Sequence, residues 1–391
     1  MKSKVKSGWR TVKLGEVCEL NPRRPKLDRA TSAPTTFVQM SAVAENGGGI
    51  VRPETRPFGQ VAKGYTFFAE GDVIFAKITP CMQNGKHAIA GNLLDGIGFG
   101  STEFHVFRPG GEIISEWILN FLLQPKISAE ASRHFTGAVG QQRVPENVLA
   151  NMEIELPPVR EQRRIAGRLR EQMAAVERAR AAVEQQLDAA QKLPAALLRA
   201  VFTSPAAQRW PRKPFGDLVE NFDGVRIPLK HTDRNKRAGK YPYYGASGII
   251  DQIDSFLFDG EFLLIGEDGA NLLSRSTPIA FRAKGKFWVN NHAHVVQPKS
   301  GIRIEWLEHF FAATDLQPFV TGSAQPKLSQ GSLNGIPVSV PPPDEQNNLV
   351  ARLDAELTAA RALVETLETR LAEIELLPAA LLRSAFGENK K

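Results

Sequence analysis

The sequence has 391 residues, which is long enough for two or more domains that each bury a core. Hydrophobic residues make up 42% and charged residues 23%, so the composition excludes a wholly disordered or fibrous chain. The formal net charge of +7 is compatible with an acidic partner such as nucleic acid. The positive excess lies before residue 340, because residues 340–391 hold 6 Lys and Arg against 9 Asp and Glu.

Two absences bear on location. No stretch of about 18 apolar residues occurs, and the basic start MKSKVKSGWR has no apolar segment behind it, so neither a membrane span nor a secretory signal is predicted. The two cysteines, Cys18 and Cys81, form no CxxC motif, which is typical of a reducing compartment and argues against zinc and a disulfide. The sequence therefore predicts a cytoplasmic protein without a metal site.

In chain order, the pattern predicts four regions: residues 1–155, 156–204, 205–339 and 340–391. The first and third are predicted mixed α/β domains, because short β-rich runs such as FAEGDVIFAKI and GKFWVNNHAHVVQP alternate with glycine-rich turns. Trp117 and Trp306 lie in apolar helical runs and are predicted to belong to the cores of these domains.

The second and fourth regions predict long helices. Apolar residues recur there at alternating steps of four and three among strong helix formers. Prolines before each segment, and Pro194 and Pro378 after it, predict helices of roughly 33 residues, or about 50 Å. Such a narrow apolar seam has to be covered. The other helix is the simplest partner, in an antiparallel coiled coil, and two independent helices are the alternative. The residues predicted to pair the helices are Leu169, Met173, Val176, Val183, Leu187, Leu353, Leu357, Val364, Leu367 and Leu371.

The two halves of the chain repeat each other. Residues 156–202 align with 340–386 without a gap, and 17 of the 47 positions are identical. Both copies start with Pro-Pro-x-x-Glu-Gln and end in LPAALLRAVF or LPAALLRSAF. The globular regions correspond more faintly, for example EWILNFLL at 116–123 with EWLEHFFA at 305–312. The sequence thus predicts a tandem duplication with pseudo-twofold symmetry, in which the helical parts stay similar while the globular parts diverge.

This order of variable domain and helix resembles the specificity subunit of type I restriction-modification systems over nearly the whole chain. The resemblance is carried by LPPVREQ, VPPPDEQ, the two LPAALLR segments, YPYYGASG at 241–248, LLIGEDG at 263–269 and FWVNNHAHVV at 287–296. It implies that each α/β domain is a target recognition domain that reads one half of an interrupted DNA site. It also implies that the helices dock methyltransferase subunits and set the separation of the half-sites.

The resemblance implies double-stranded DNA, two methyltransferase subunits and restriction-translocase subunits as partners, and a chain without catalytic activity of its own. S-adenosylmethionine, ATP and magnesium would belong to those partners. In agreement, the sequence has no GxxxxGK[ST] phosphate loop. A charged face on the first helix, with Arg163, Arg164, Arg168 and Glu171, is a candidate docking surface. Two alternatives stay open: a related system whose partner fuses methylase and nuclease, and a coiled-coil scaffold that binds proteins.

Base recognition needs Arg or Lys for guanine and Asn or Gln for adenine, and Lys or Arg for phosphates. Polar clusters of this kind are predicted on loops of both domains, including a hairpin favoured by Asn84-Gly85. The candidates are Lys77, Gln83, Asn84, Lys86, Gln142, Arg143, Arg234, Lys236, Tyr243, Tyr244, Asn271, Arg275, Asn291, His292, Gln325 and Lys327. His292 and His294 are predicted to share one face of a strand, where a structural or DNA-facing role is favoured over metal binding because no third ligand is nearby.

Overall fold

A computed structural model describes residues 8–138, 140–322 and 325–387. The chain folds into two compact units, defined here as unit 1, the described residues up to Ala182 and from Arg370 onward, and unit 2, Val183–Thr369. Each long helix therefore belongs partly to one unit and partly to the other. The four predicted region boundaries stay a prediction.

Unit 1 contains ten strands and five short helices before its first long helix. Strands β1–β10 span Arg10–Lys13, Cys18–Leu20, Pro34–Val38, Glu54–Pro57, Thr66–Ala69, Val73–Ala76, His87–Ile89, Ile97–Gly100, Phe104–Pro109 and Glu153–Leu156. Helices α1–α6 span Leu14–Val17, Phe58–Val61, Ser115–Leu122, Pro125–Arg133, Glu146–Ala150 and Val159–Phe202. The strands form two four-stranded sheets, β2-β9-β6-β7 and β4-β3-β8-β5, and the pair β1-β10.

In its described residues, unit 2 contains eight strands and five short α-helices before the second long helix. Strands β11–β18 span Arg212–Pro214, Val219–Asn221, Ala238–Gly245, Gly248–Ile253, Phe258–Gly266, Ala280–Val289, Ala293–Pro298 and Pro337–Ser339. Helices α7–α12 span Phe215–Leu218, His231–Arg234, Asn271–Ser274, Ile304–Ala313, Gln330–Asn334 and Pro343–Ala385. One six-stranded sheet has the order β12-β17-β15-β16-β13-β14, and β11 pairs with β18.

The strand orders confirm the tandem duplication. The sheet β2-β9-β6-β7 of unit 1 has the same order as β12-β17-β15-β16 of unit 2, with β9 and β17 between the same neighbours. The units differ beyond this common sheet, since unit 1 adds the second sheet β4-β3-β8-β5 and unit 2 adds the hairpin β13-β14. The variable parts are therefore attached to one shared framework.

The glutamines of the two Pro-Pro-x-x-Glu-Gln motifs fasten each long helix to its domain. Gln162 and Gln346 are fully buried. Gln162 accepts a hydrogen bond from the backbone N–H of Ile114, the residue before α3, and donates to the carbonyls of Glu112 and Pro157. Gln346 accepts in the same way from Arg303, the residue before α10. The motif satisfies a helix N-terminus that would otherwise be buried without a partner.

The predicted ends of the long helices were wrong. α6 has 44 residues and α12 has 43, and Pro194 and Pro378 lie inside them. A proline inside a helix removes one backbone hydrogen bond and costs about 3 kcal/mol. Burial of the following turn offsets this cost, since Leu198 and Leu382 are buried. Tertiary packing thus overrides the local helix-breaking signal.

The repeated ten-residue close delivers an aromatic side chain onto each domain. In unit 2, the ring of Phe202 lies 4.6 Å from that of Trp306. In unit 1, the ring of Phe386 lies 4.3 Å from that of Trp117. Both tryptophans are fully buried, as predicted, and their indole N–H groups donate to the backbone carbonyls of Glu155 and Ser339. We call each of these aromatic contacts a socket: Phe202 against Trp306 in unit 2, and Phe386 against Trp117 in unit 1. The ten-residue segment occurs twice because each copy ends in the phenylalanine of one socket.

Phe386→Ala is expected to destabilise unit 1 by about 3 kcal/mol, because it removes a buried ring and leaves a cavity against Trp117. Leu376→Ala is the matched control, since Leu376 lies on the same helix and is 69% exposed. Denaturant unfolding followed by tryptophan fluorescence measures both. Equal losses in the two variants would contradict the socket.

The two long helices run antiparallel within each unit. In unit 1, Ile165 near the start of α6 and Phe386 at the end of α12 pack on the same hydrophobic core. In unit 2, Leu198 near the end of α6 shares a core with Val350 and Leu353 near the start of α12. This is the order predicted for an antiparallel pair. None of the ten predicted pairing residues is exposed. Six are buried: Leu169, Val176, Val183, Leu353, Leu357 and Leu367. Four are half-buried: Met173, Leu187, Val364 and Leu371.

Candidate nucleic-acid interface

The common sheet ends in both units on a small cluster of charged side chains. In unit 1, Lys77 follows β6, and its backbone bonds to Glu103 on one side and to Val144 on the other. In unit 2, Glu267 follows β15 and bonds in the same way to His292 and Leu328. We define edge cluster 1 as Lys77, Glu103 and Arg143, and edge cluster 2 as Glu267, His292 and Lys327.

A buried histidine supports each edge cluster from below. The Nε2 of His105 on β9 lies 3.0 Å from the Val144 carbonyl, and the Nε2 of His294 on β17 lies 2.8 Å from the Leu328 carbonyl. Their Nδ1 atoms face Asn21 and Asp223, which also accept the N–H of the residue after each histidine. Burial lowers the pKa of His105, although its contact with the Val144 carbonyl opposes this. These histidines fix the loop that carries Arg143 or Lys327.

The predicted face shared by His292 and His294 was wrong. His292 precedes β17 and lies in the turn, where it is exposed and its Nδ1 is 2.8 Å from Asp268. His294 is the second residue of the strand and is 1% exposed. The two-residue alternation of a strand therefore does not apply to the pair.

In edge cluster 1, an ion pair holds the arginine. The Nε and Nη2 of Arg143 donate to the two carboxylate oxygens of Glu103 at 2.8 and 2.7 Å, and Nη1 donates to the carbonyl of Gln141. The hydrogen bonds from Arg143 hold the pKa of Glu103 below its usual value. A cleft of about 360 Å³ opens beside Lys77 and is also lined by Asn21, His105 and Glu146.

In edge cluster 2, a buried network lies beneath the exposed cation. Lys327 Nζ is 3.2 Å from Glu267, whose other oxygen is 2.7 Å from Arg226 Nη1. Ligand atoms of Asp223, Glu267 and His294 lie within 4.8 Å of one another, a spacing that would suit a metal ion. The guanidinium of Arg226 supplies the positive charge at this point, because it also lies 3.5 Å from Asp223. The residues therefore favour an ion-pair network over a metal site.

Three of the remaining candidates of unit 1 lie on the loop between β6 and β7, and Gln142 lies on the loop between α4 and α5. These strands pair in antiparallel fashion, so the predicted hairpin is present, but its loop runs from 77 to 86 and is longer than a tight turn. Gln83 and Asn84 are exposed, and their side chains bond to Thr79 and Glu45. Lys86 and Gln142 are half-buried. All four lie on the loops next to edge cluster 1.

Several candidates of unit 2 support the fold. Tyr243 is fully buried and its hydroxyl accepts the N–H of Leu229, so this ring is not available to stack on a base. Tyr244 is half-buried, with its ring 5.5 Å from that of Phe287. Arg234 is held by Asp251 and lies over the Tyr243 ring. These aromatic and basic residues were predicted to lie on the surface, but their side chains make contacts within the domain.

Two further candidates close a loop. The side chain of Asn271 bonds to the backbone N–H and carbonyl of Thr277. Arg275 has a positive φ of 52° and donates to the carbonyls of Phe311, Ala312 and Thr314 at the end of α10. In this structure its guanidinium holds the loop against the end of α10, and its base contact stays a prediction. The exposed candidates that remain in unit 2 are Lys236, Asn291, His292, Gln325 and Lys327.

Glu103, Arg226 and Glu267 were missed from the sequence. Base and phosphate contacts are made by cations and amides, so the two glutamates did not stand out as candidates. No local sequence signal marks these three residues. The corresponding Thr136-Gly137 and Thr321-Gly322 pairs, whose threonines bridge to Arg143 and Lys327, indicate only the two cations, which were predicted.

Comparison with known proteins identifies the fold and the family. A family model described as type I restriction modification DNA specificity domain matches residues 6–185 and again 208–376. The type I restriction enzyme EcoEI specificity subunit from Escherichia coli is 34% identical over 216 residues, covering 55% of this chain and 35% of that protein. The EcoAI specificity subunit from Escherichia coli is 35% identical over 222 residues, covering 55% of this chain and 36% of that protein. Each match spans about a third of the relative's length.

A crystal structure of the HsdS subunit from Thermoanaerobacter tengcongensis shares the fold, with a TM-score of 0.73, 22% identity and full coverage of both chains. A structure from a study of complex assembly of the type I R-M system matches with the same TM-score and identity, covering 98% of this chain and 99% of that chain. Within the described residues, no helix is long and apolar enough to cross a membrane.

Proposed function

Because the chain belongs to the family of type I restriction-modification DNA specificity domains, with one matching segment in each half, we propose that it is a DNA specificity subunit. Each α/β domain reads one half of an interrupted site in double-stranded DNA. The observation that carries this proposal is the pair of edge clusters. The same framework presents Lys77, Glu103 and Arg143 in unit 1 and Glu267, His292 and Lys327 in unit 2, as expected of two readers with different targets.

The long helices supply the second part of the proposal. They fix the separation of the two half-sites, since helices of 44 and 43 residues are each about 65 Å long and half-sites on one face of the duplex lie roughly 34–36 Å apart. They also dock two methyltransferase subunits, for which the candidate surface is the exposed face of α6 that carries Arg163, Arg164, Arg168 and Glu171. Arg164 donates to Glu161 on this face. Restriction-translocase subunits would complete the complex.

The chemistry of modification and cleavage belongs to the partners in this proposal. S-adenosylmethionine would bind the methyltransferase subunits, and ATP and magnesium the restriction-translocase subunits. A partner that fuses methylase and nuclease would use the present chain in the same way. The protein's own residues position the duplex and do no bond-making step.

Binding to a duplex in increasing salt tests the proposal against the protein-binding scaffold. A chain that contacts six to ten phosphates loses roughly 10³- to 10⁵-fold in affinity between 50 and 200 mM salt. We expect a loss of this order for the full chain with a labelled random duplex, measured by fluorescence anisotropy. The absence of duplex binding at 50 mM salt, or affinity that does not change with salt, would favour the scaffold.

A further inference from the structure

We propose that Arg143 reads a guanine in the half-site of unit 1 and that Glu103 is the positioning residue that orients it. This inference rests on the proposed function and adds the class of base that edge cluster 1 takes. It assigns different roles to two residues of one ion pair: contact with the base for Arg143, and orientation of its guanidinium plane for Glu103.

Arg143 retains N–H donors that its contacts with Glu103 and Gln141 do not use. A guanidinium has five N–H donors. Three are engaged, two by Glu103 on the Nε and Nη2 edge and one by the Gln141 carbonyl from Nη1. One N–H on each terminal nitrogen remains, and the Arg143 side chain is 40% exposed. Donors on both terminal nitrogens are what a bidentate contact to the O6 and N7 of guanine requires.

The charge of the Arg143–Glu103 pair favours a neutral partner. Glu103 is ionised because its hydrogen bonds to Arg143 lower its pKa, so the ion pair carries little net charge. A DNA phosphate would meet the carboxylate as well as the guanidinium and would be repelled by it. The acceptors of guanine are neutral and are not. The pairing therefore favours a base over a phosphate as the partner of Arg143.

The guanidinium of Arg143 is already oriented in the protein without DNA. A free arginine loses rotamer entropy when it contacts a base, whereas Arg143 is already fixed by two contacts at 2.8 and 2.7 Å. The loop that carries it is fixed as well, since the Arg143 backbone pairs with Thr136 and the next carbonyl, of Val144, contacts buried His105. In unit 2 the equivalent cation, Lys327, is also held by a carboxylate, Glu267. Both units thus present a clamped cation at the same sheet edge.

The test is selection of binding sites from a pool of random duplexes by the full chain. The wild type is expected to select two separated words, one of which contains a guanine that Arg143→Gln no longer prefers. Loss of the bidentate contact predicts a fall of roughly 10- to 100-fold in discrimination at that one position, with every other position unchanged. Glu103→Gln is expected to weaken discrimination at the same position by less, because the arginine stays but is no longer held.

Arg133→Gln is the matched control, since Arg133 is in an exposed ion pair with Glu130 on α4 and is expected to change no position. Hydrogen exchange of β6 and β9 checks that the variants are folded, and Arg143→Lys retains the charge if Arg143→Gln does not fold. Uniformly weaker binding with all preferences retained would make Arg143 a phosphate contact and overturn the proposal. So would relaxation at an adenine or thymine. Failure of the wild type to select separated words would instead overturn the proposed function.

Discussion

Lengthening both long helices by seven residues is expected to lengthen the spacer of the DNA site and to leave both recognition words unchanged. Duplicating residues 176–182 in α6 and 363–369 in α12 adds about 10.5 Å to each helix, and seven residues keep the apolar seam in register. At 3.4 Å per base pair, this corresponds to about three base pairs if the helices follow the duplex and to fewer if they are tilted. Site selection or methylation mapping measures the spacer.

A seven-residue insertion between Gly110 and Gly111 is the matched control for this experiment. Both glycines are exposed in the connection between β9 and α3, so the insertion lengthens unit 1 without lengthening a helix. The spacer is expected to stay at its original length. If the helix variant selected changed recognition words with an unchanged spacer, the helices would not set the separation of the half-sites.

Replacing Arg226 by methionine is expected to destabilise unit 2 by about 3–5 kcal/mol. Arg226 is 12% exposed and donates to Glu267 and to the Ala293 carbonyl at 2.7 Å, with Asp223 at 3.5 Å. Removing it takes the shared guanidinium from Asp223 and Glu267, so that His294 remains beside Asp223 and the exposed Lys327 beside Glu267. Breaking one side of a buried ion pair costs this amount. Denaturant unfolding, with hydrogen exchange of β15 and β17 to locate the change, measures the loss.

The same network predicts a dependence on pH. Burial raises the pKa of Asp223, but its hydrogen bond and charge interaction with His294, together with Arg226, outweigh burial and leave the pKa lowered. Burial also raises the pKa of Glu267, but its hydrogen bond with Arg226 and its charge interaction with His294 outweigh burial and leave the pKa lowered. Groups with a lowered folded pKa stabilise the protein above their ordinary values of 3.8 and 4.5, and this contribution is lost as the pH falls below them.

Arg226→Met is therefore expected to move the acid unfolding of unit 2 to higher pH, because both carboxyl groups lose one of the charges that lower their pKa, a larger share at Glu267 than at Asp223. Arg133→Met is the control, since Arg133 is 74% exposed and a surface ion pair contributes at most about 1 kcal/mol. Equal pH profiles for the two variants would show that Arg226 does not hold the network.

The helices were predictable because periodicity is a property of many residues at once. In the second helix, seven apolar residues at steps of three and four indicate a helix more strongly than any single residue could. The duplication supplied a second, independent copy of the same pattern. Their ends were not predictable in the same way. Pro194 and Pro378 stop a helix on local grounds, and only the sockets around Trp117 and Trp306 explain why α6 and α12 continue.

The candidate site was less accessible from sequence because residue type does not determine burial. Tyr243 and Arg275 have side chains that suit a base. Tyr243 is instead a buried residue of β13, and Arg275 donates to a carbonyl near the end of α10. Lys77, Arg143 and Lys327 were predicted as candidates. Lys77 and Arg143 lie together in edge cluster 1, and Lys327 lies in edge cluster 2. The carboxylate partners of Arg143 and Lys327, which are Glu103 and Glu267, lie about 40 and 60 residues away in the sequence, and nothing local to either cation marks them.

Methylation mapping tests the central claim most directly. The genome of the organism that carries this chain would be compared with that of a strain lacking its gene, with modified bases read by single-molecule sequencing. Two unlike readers at a fixed separation predict that deletion abolishes modification at one motif, which consists of two short words around an unread spacer of constant length. A motif that is one uninterrupted word, or a modification pattern that deletion leaves unchanged, would contradict the account.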